Sequence, residues 1–143
     1  MNRLHARLKV KDLDRSVEFY SALFGQRPSK IEADYARWML EDPRANIALS
    51  TRGAQAGIDH VGLQTDDRDG LDAIAARLKD AGVGMLEEPG AACCYARSDK
   101  YWTQSPDGAK WELYHTFADS TPSGASPARE AIEQSAGPCC GTL

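Results

Sequence analysis

The sequence predicts an α+β fold in which two βαβββ modules form a cup-shaped mixed sheet with the helices outside. Three observations predict it. An alternating strand followed by a helical stripe runs from Leu4 to Gly25, and the same pair begins again at Ile58 and ends at Gly82. Further strand-like runs follow each stripe, and Pro43 and Pro106 mark turns in matching places of the two halves. From about Ala118 onward the periodicity stops. A chain of 143 residues suits one domain. That domain is expected over 1–118, with modules at about 3–52 and 57–118. The Ser-, Gly-, Pro- and Ala-rich stretch 119–143 is expected to be a flexible tail.

In LHARLKV, Leu4, Ala6, Leu8 and Val10 alternate with His5, Arg7 and Lys9, the pattern of a half-buried strand. Asp12 is placed to cap a helix on which Leu13, Val17, Tyr20 and Phe24 share a face, and Gly25 stops it. Strand-like runs follow around 35–40 and 46–51, joined by a turn at Glu41-Asp42-Pro43. In IDHVGLQT, Val61 and Leu63 take one face and His60, Gly62 and Gln64 the other. Asp66 and Asp67 offer caps for a second helix carrying Leu71, Ile74, Ala75 and Leu78, which Gly82 ends. Strands are expected around 83–86, 95–104 and 110–117, the last two linked by a Ser105-Pro106-Asp107-Gly108 turn. If each apolar face packs on a helix, the faces carrying His5 and His60 line a shared cup.

Composition narrows the function. Seventeen Lys and Arg against twenty-one Asp and Glu give a net charge of −4. That argues against nucleic acid, whose binders carry a basic face, and against a polybasic membrane-surface protein. No apolar run approaches the ~20 residues of a membrane span, and Met-Asn-Arg-Leu-His lacks the apolar core of a signal peptide. The expectation is a cytoplasmic protein acting on a small molecule.

Two His at matching positions are joined by a third candidate. In KWELYHTF, Trp111 and Leu113 share one face, so Glu112 and Tyr114 take the other, and Glu112 looks into the cup. A lone strand His is ordinarily a satisfied polar residue. Matched positions and a correctly phased Glu point instead to a metal held by His5, His60 and Glu112, the two-His, one-carboxylate set of non-heme Fe(II) oxygen chemistry. His115 lies three residues from Glu112 and so faces away from the cup.

The four cysteines fall in two adjacent pairs, Cys93-Cys94 and Cys139-Cys140. Neighbours on a strand point to opposite faces, so structural disulfides are not expected. The pairing suggests capture of a soft ion, with Glu88-Pro89-Gly90-Ala91-Ala92 supplying a bend that lets Cys93 and Cys94 converge.

Residues 3 to about 117 resemble the vicinal oxygen chelate superfamily of glyoxalase I, extradiol dioxygenases, fosfomycin-resistance proteins and bleomycin-binding proteins. The resemblance rests on KDLDRSVEFYSALFG, IDHVGLQ and SPDGAKWELY. ACCYARSDKYW resembles the cysteine-bearing loop of the ferrous-iron carbon–arsenic lyases and of the similar cadmium-induced proteins. It implies His5, His60 and Glu112 as Fe(II) ligands and catalytic centre, in preference to Mn(II) or Co(II). It further implies Cys93 and Cys94 as the thiolates on a trivalent organoarsenical, with O2 as co-substrate and arsenite as product. A glyoxalase I site would need a second carboxylate where NIALS offers only Ala48 and Leu49. Two other readings use the same fold: a cadmium- or arsenite-binding protein without turnover, and a fosfomycin-type thiol transferase. The organic substituent on arsenic, methyl or aryl, stays open, as does monomer or homodimer. Tyr95, Lys100, Tyr101, Trp102 and Tyr114 are possible pocket lining, and Cys139 and Cys140 a tethered accessory thiol pair.

Overall fold

The computed structural model describes residues 1–93 (Cys93 by its backbone), 95–119, 128 and 131–132; Cys94, Cys139 and Cys140 lie outside the described residues. The elements run β1 (Arg3–Lys9), α1 (Leu13–Phe24), β2 (Lys30–Glu32), β3 (Tyr35–Glu41), β4 (Arg44–Ser50), β5 (Gly57–Thr65), α2 (Arg68–Asp80), β6 (Leu86–Cys93), β7 (Ala96–Gln104) and β8 (Lys110–Asp119). This is the repeated βαβββ order. The strand β2 is three residues long, too short to show alternation in the sequence. Among the described residues no helix is long and apolar enough to cross a membrane.

Both helices begin where their caps predict. Asp12 accepts the Arg15 N–H at 3.0 Å, and Asp67 accepts the Gly70 N–H at 2.7 Å. Gly25 ends α1 at φ 66°, a left-handed conformation that glycine adopts without a Cβ clash. Each helix packs on its own module. Leu13 and Val17 of α1 bury against Trp38, Leu40 and Leu49, with Tyr20 and Phe24 flanking the indole. Leu71 and Ile74 of α2 bury against Leu113, with Leu63, Leu78 and Tyr101 beside them. Full burial of side chains of this size contributes about 1.5–3 kcal/mol each, so these two clusters set which sheet face turns inward.

The eight strands form one sheet in the order β2-β3-β4-β1-β5-β8-β7-β6. The modules meet at β1 and β5, which run antiparallel with His5 opposite Gly62 and Arg7 opposite His60. Facing residues in such a pair share a sheet face, so both His point into the cup. The sheet's far edges also meet. Tyr95, between β6 and β7, donates its hydroxyl to Asp34 Oδ1 at 2.6 Å, and Lys30 Nζ donates to its carbonyl at 3.3 Å. The Tyr95 hydroxyl and the Arg52 guanidinium hold the Asp34 carboxyl below its ordinary pKa.

One strand departs from expectation. The run 83–86 is not strand except at its last residue; β6 starts at Leu86 and continues through the residues expected to bend. The continuation is explained at Gly90. Its φ of 62° takes up a register shift between Glu88 and Ala91, and its N–H is held by Asp99 Oδ1 at 2.8 Å. The bend is therefore a bulge within a strand rather than a loop. Within the stretch expected to be a tail, Ala128, Ala131 and Ile132 are helical, and Ile132 is 6% exposed.

Candidate metal centre

The structure brings His5, His60 and Glu112 together at the base of the cup. His5 Nε2, His60 Nε2 and Glu112 Oε2 form a triangle with sides of 3.3, 3.3 and 3.1 Å. All three side chains are buried. Three ligands about 2.1 Å from one ion and at right angles to each other would stand about 3.0 Å apart, close to the spacing seen.

Protonation is set by the atoms behind the triangle. His5 Nδ1 lies 3.1 Å from the Asn46 carbonyl, which can only accept, so Nδ1 carries the proton and Nε2 offers a lone pair. His60 Nδ1 lies 2.8 Å from Asp59 Oδ2 and is a donor by the same argument. Three acceptor atoms thus face one another, and a proton can satisfy only one edge. A cation satisfies all three. The donor set fits a divalent transition metal, which His5, His60 and Glu112 would hold.

Glu112 is fixed as the third corner by Lys100, whose Nζ donates to Oε1 at 2.6 Å and leaves Oε2 to the triangle. Burial would raise the Glu112 pKa, but Lys100, then the two imidazoles, hold it well below the carboxylate range. Burial pushes His5 below the ordinary imidazole value, more than its contacts with Glu112 restore. Burial presses on His60 as well, yet Glu112 and Asp59 together lift it above that value.

Lys100 and Tyr114 line the cup, Tyr114 edge-on to His5 at 5.2 Å. Trp102 stands edge-on to His60 at 5.1 Å. Tyr101 instead packs with α2, and Tyr95 closes the sheet edges. His115 lies outside the cavity, 6.5 Å from the Phe117 ring. The backbone of Cys93 ends β6, and its ladder partner Ala96 lines the cup. Register identifies the first module's counterpart of Glu112. Glu112 pairs with Gly62, two residues after His60; Ala48 pairs with Arg7, two residues after His5. A fourth, carboxylate ligand is absent from that position.

Sequence reasoning missed Asp59, Asn46, Gly62 and the pairing role of Lys100. Asp59 falls at the register shift between β1 and β5, where Arg7 pairs with His60 and Leu8 with Ile58. The bulge lets a residue of the wrong parity reach the His60 ring.

Comparison with known proteins agrees with this architecture. The Glyoxalase/Bleomycin resistance protein/Dioxygenase superfamily matches residues 3–113. A relative named "Trivalent organoarsenical cleaving enzyme" from Bacillus sp. (strain MD1) is 39% identical over 119 residues, 81% of this chain and 74% of the relative. "Cadmium-induced protein CadI" of Mycobacterium bovis is 34% identical over 142 residues, 98% of this chain and 93% of the relative. Among solved structures, homoprotocatechuate 2,3-dioxygenase from Brevibacterium fuscum superposes with a TM-score of 0.60 at 19% identity. That match covers 83% of this chain and 38% of the dioxygenase chain. With its duplicated βαβββ fold and cup, the chain belongs to the Glyoxalase/Bleomycin resistance protein/Dioxygenase superfamily.

Proposed function

We propose that the chain is an Fe(II)- and O2-dependent enzyme that cleaves the carbon–arsenic bond of trivalent organoarsenicals and releases arsenite, serving arsenic detoxification in the cytoplasm. The observation that carries this reading is the buried triangle of three acceptor atoms in a chain 39% identical to a protein named for trivalent organoarsenical cleavage. His5, His60 and Glu112 hold the metal on one face. When bound, Fe(II) supplies redox and Lewis-acid chemistry toward O2 and the arsenical.

The chain's own residues do the rest. Asn46 and Asp59 fix the two imidazole tautomers, and Lys100 fixes the carboxylate. Cys93 and Cys94 hold arsenic as thiolates, which suit a soft centre, and the second attachment gains from being intramolecular. Holding arsenic beside the metal turns an encounter of three reactants into a reaction within one complex. For methylarsenite the balance CH3As(OH)2 + O2 → As(OH)3 + HCHO closes on atoms. The carbon loses four electrons and O2 gains four, so no external reductant is needed.

A second reading is a protein that binds cadmium or arsenite without turnover, favoured by the 34% identity to a cadmium-induced protein along nearly the whole chain. One experiment separates the two: anaerobic loading with Fe(II), addition of methylarsenite, then oxygen. The proposed reaction gives one arsenite and one formaldehyde per O2 consumed. Tight arsenical binding without oxygen uptake would establish the binding protein instead.

A further inference from the structure

Behind His60 stands a lysine that the three-ligand set does not account for. Lys9 is the last residue of β1, and its Nζ lies 3.0 Å from Asp59 Oδ1. The other oxygen, Asp59 Oδ2, lies 2.8 Å from His60 Nδ1. One carboxylate thus divides its oxygens between an ammonium and a ligand imidazole. The Asp59 side chain is 2% exposed, and a carboxylate so deeply buried needs charged or hydrogen-bonding partners. Glu112 repeats the arrangement, with Lys100 on Oε1 and Oε2 left to the triangle. Each module therefore sets a lysine on the spare oxygen of a carboxylate that serves the same centre.

Lys9 is itself held in place. Residues 51–56 connect β4 to β5 and so join the two modules. Gly53 in that connection lies against the lysine. A Cβ built there would stand 2.8 Å from Lys9 Cδ and Cε and 2.9 Å from Nζ, and the φ of 121° is one that glycine adopts without strain. The missing side chain leaves room for the lysine stem, which runs between the connection and Asp59. An ion pair in open water contributes little, because two long side chains must be ordered to make it. Here the backbone already confines the ammonium, and its partner is buried.

We propose that Lys9 is a positioning residue of the metal centre: it holds Asp59 Oδ1 so that Oδ2 keeps the His60 ring turned with Nε2 toward the triangle. This rests on the reading of His5, His60 and Glu112 as metal ligands, and it is independent of what the metal does to an arsenical. The sign of the effect separates positioning from charge. An ammonium repels a dication, so removing Lys9 would, through its field alone, tighten metal binding. Losing the hold on Asp59 loosens binding, as loss of the groups behind a ligating imidazole does. Positioning therefore predicts weaker binding from a substitution that removes positive charge.

The test is an anaerobic titration of the full chain with Co(II), followed by visible absorption, which reads the affinity and, from the ligand-field bands, the ligand geometry. Wild type is compared with Lys9→Met, Asp59→Asn and the double variant, and with Lys11→Met as a control that removes the same charge at an exposed position two residues on. Lys9→Met keeps the stem that packs on Gly53, and Lys9→Gln replaces it if that protein does not fold. Lys9→Met is expected to weaken Co(II) binding about threefold or more and to shift the bands, while Lys11→Met stays within about 1.5-fold of wild type. Added to Asp59→Asn, the Lys9 substitution should change affinity by less than about 1.5-fold, because the group it acts through has already lost its charge. Unchanged or tighter binding in Lys9→Met overturns the proposal. So does an equal loss with and without the Asp59 charge, which would mark a general effect on the fold. Wild-type protein that binds no Co(II) would remove the metal centre and the proposal together, whereas wild-type binding matched by Lys9→Met removes the proposal alone.

Discussion

Gly62 is the position where the fold and the metal centre meet most tightly. A Cβ placed there would lie 2.1 Å from the Glu112 carbonyl oxygen and 3.0 Å from its carbonyl carbon. Both are backbone atoms of the neighbouring strand, so no side-chain rotation relieves the clash. To bring that contact to even 3.0 Å, Gly62→Ala must separate β5 from β8 by about 0.9 Å. Overpacking of this kind costs about 1–3 kcal/mol. At about 2.1 cal/mol/K per residue, unfolding of 143 residues carries an entropy of about 0.3 kcal/mol/K, so Tm should fall by about 3–10 °C.

The same displacement should reach the site. His60 rides on β5 and Glu112 on β8, and ligand geometry tolerates only about 0.5 Å of error. Fe(II) affinity is therefore expected to fall at least tenfold. Thermal unfolding by circular dichroism and an anaerobic Fe(II) titration read the two effects. Gly84→Ala is the control: nothing lies within 4 Å of its Cβ position, and its Tm should stay within about 2 °C of wild type. A Gly62→Ala protein with wild-type Tm and wild-type Fe(II) affinity would refute the reasoning, because the spacing of β5 and β8 would then not be what fixes the site.

Three further outcomes follow from the site's geometry. His5→Ala, His60→Ala and Glu112→Ala should each weaken Fe(II) binding at least tenfold while His115→Ala does not, and full occupancy in Glu112→Ala would contradict the ligand set. Asp59→Asn keeps the shape of the group behind His60 but removes its charge; metal affinity should drop about 10–100-fold, and an unchanged titration would show that the Asp59 contact does not orient the ring. Cys93→Ser and Cys94→Ser should lose trivalent arsenical binding and keep Fe(II), and wild-type cleavage of methylarsenite by the double variant would end the thiolate assignment.

What the sequence revealed, and what it hid, divides along one physical line. Strand parity has a period of two, so His5, His60 and Glu112 could be assigned to one face, and His115 to the other, before any pairing was known. Helix caps are local as well, and Asp12, Asp67 and Gly25 act where their side chains or missing side chain predict. The features missed at the site depend on register or on its interruption. Lys100 reaches Glu112 because β7 and β8 pair Lys100 with Tyr114 and Trp102 with Glu112, an offset no single strand encodes. Asp59 escaped because a bulge reverses its parity. The continuation of β6 to Cys93 escaped for the same reason: Glu88-Pro89-Gly90 reads as a turn, and only the Asp99 contact to Gly90 shows it to be an irregularity carried within a ladder.

The duplication accounts for a single candidate metal centre, among the described residues, that draws on both modules. Equivalent histidines stand on adjacent antiparallel strands, so the rotation that relates the modules brings their Nε2 atoms to 3.3 Å across the seam. Two imidazoles so placed could serve only a shared ion, and one more corner would complete the ligand set. Glu112 fills it from the second module. A matching carboxylate at position 48 would add a fourth protein ligand and reduce the open positions that O2 and substrate require. Ala48 offers no donor atom at that place, so His5, His60 and Glu112 would hold an ion without a fourth protein ligand from the first module. At the matched pair Ala48 and Glu112, the departure from module symmetry leaves three candidate protein ligands where a symmetric pair of modules would offer four.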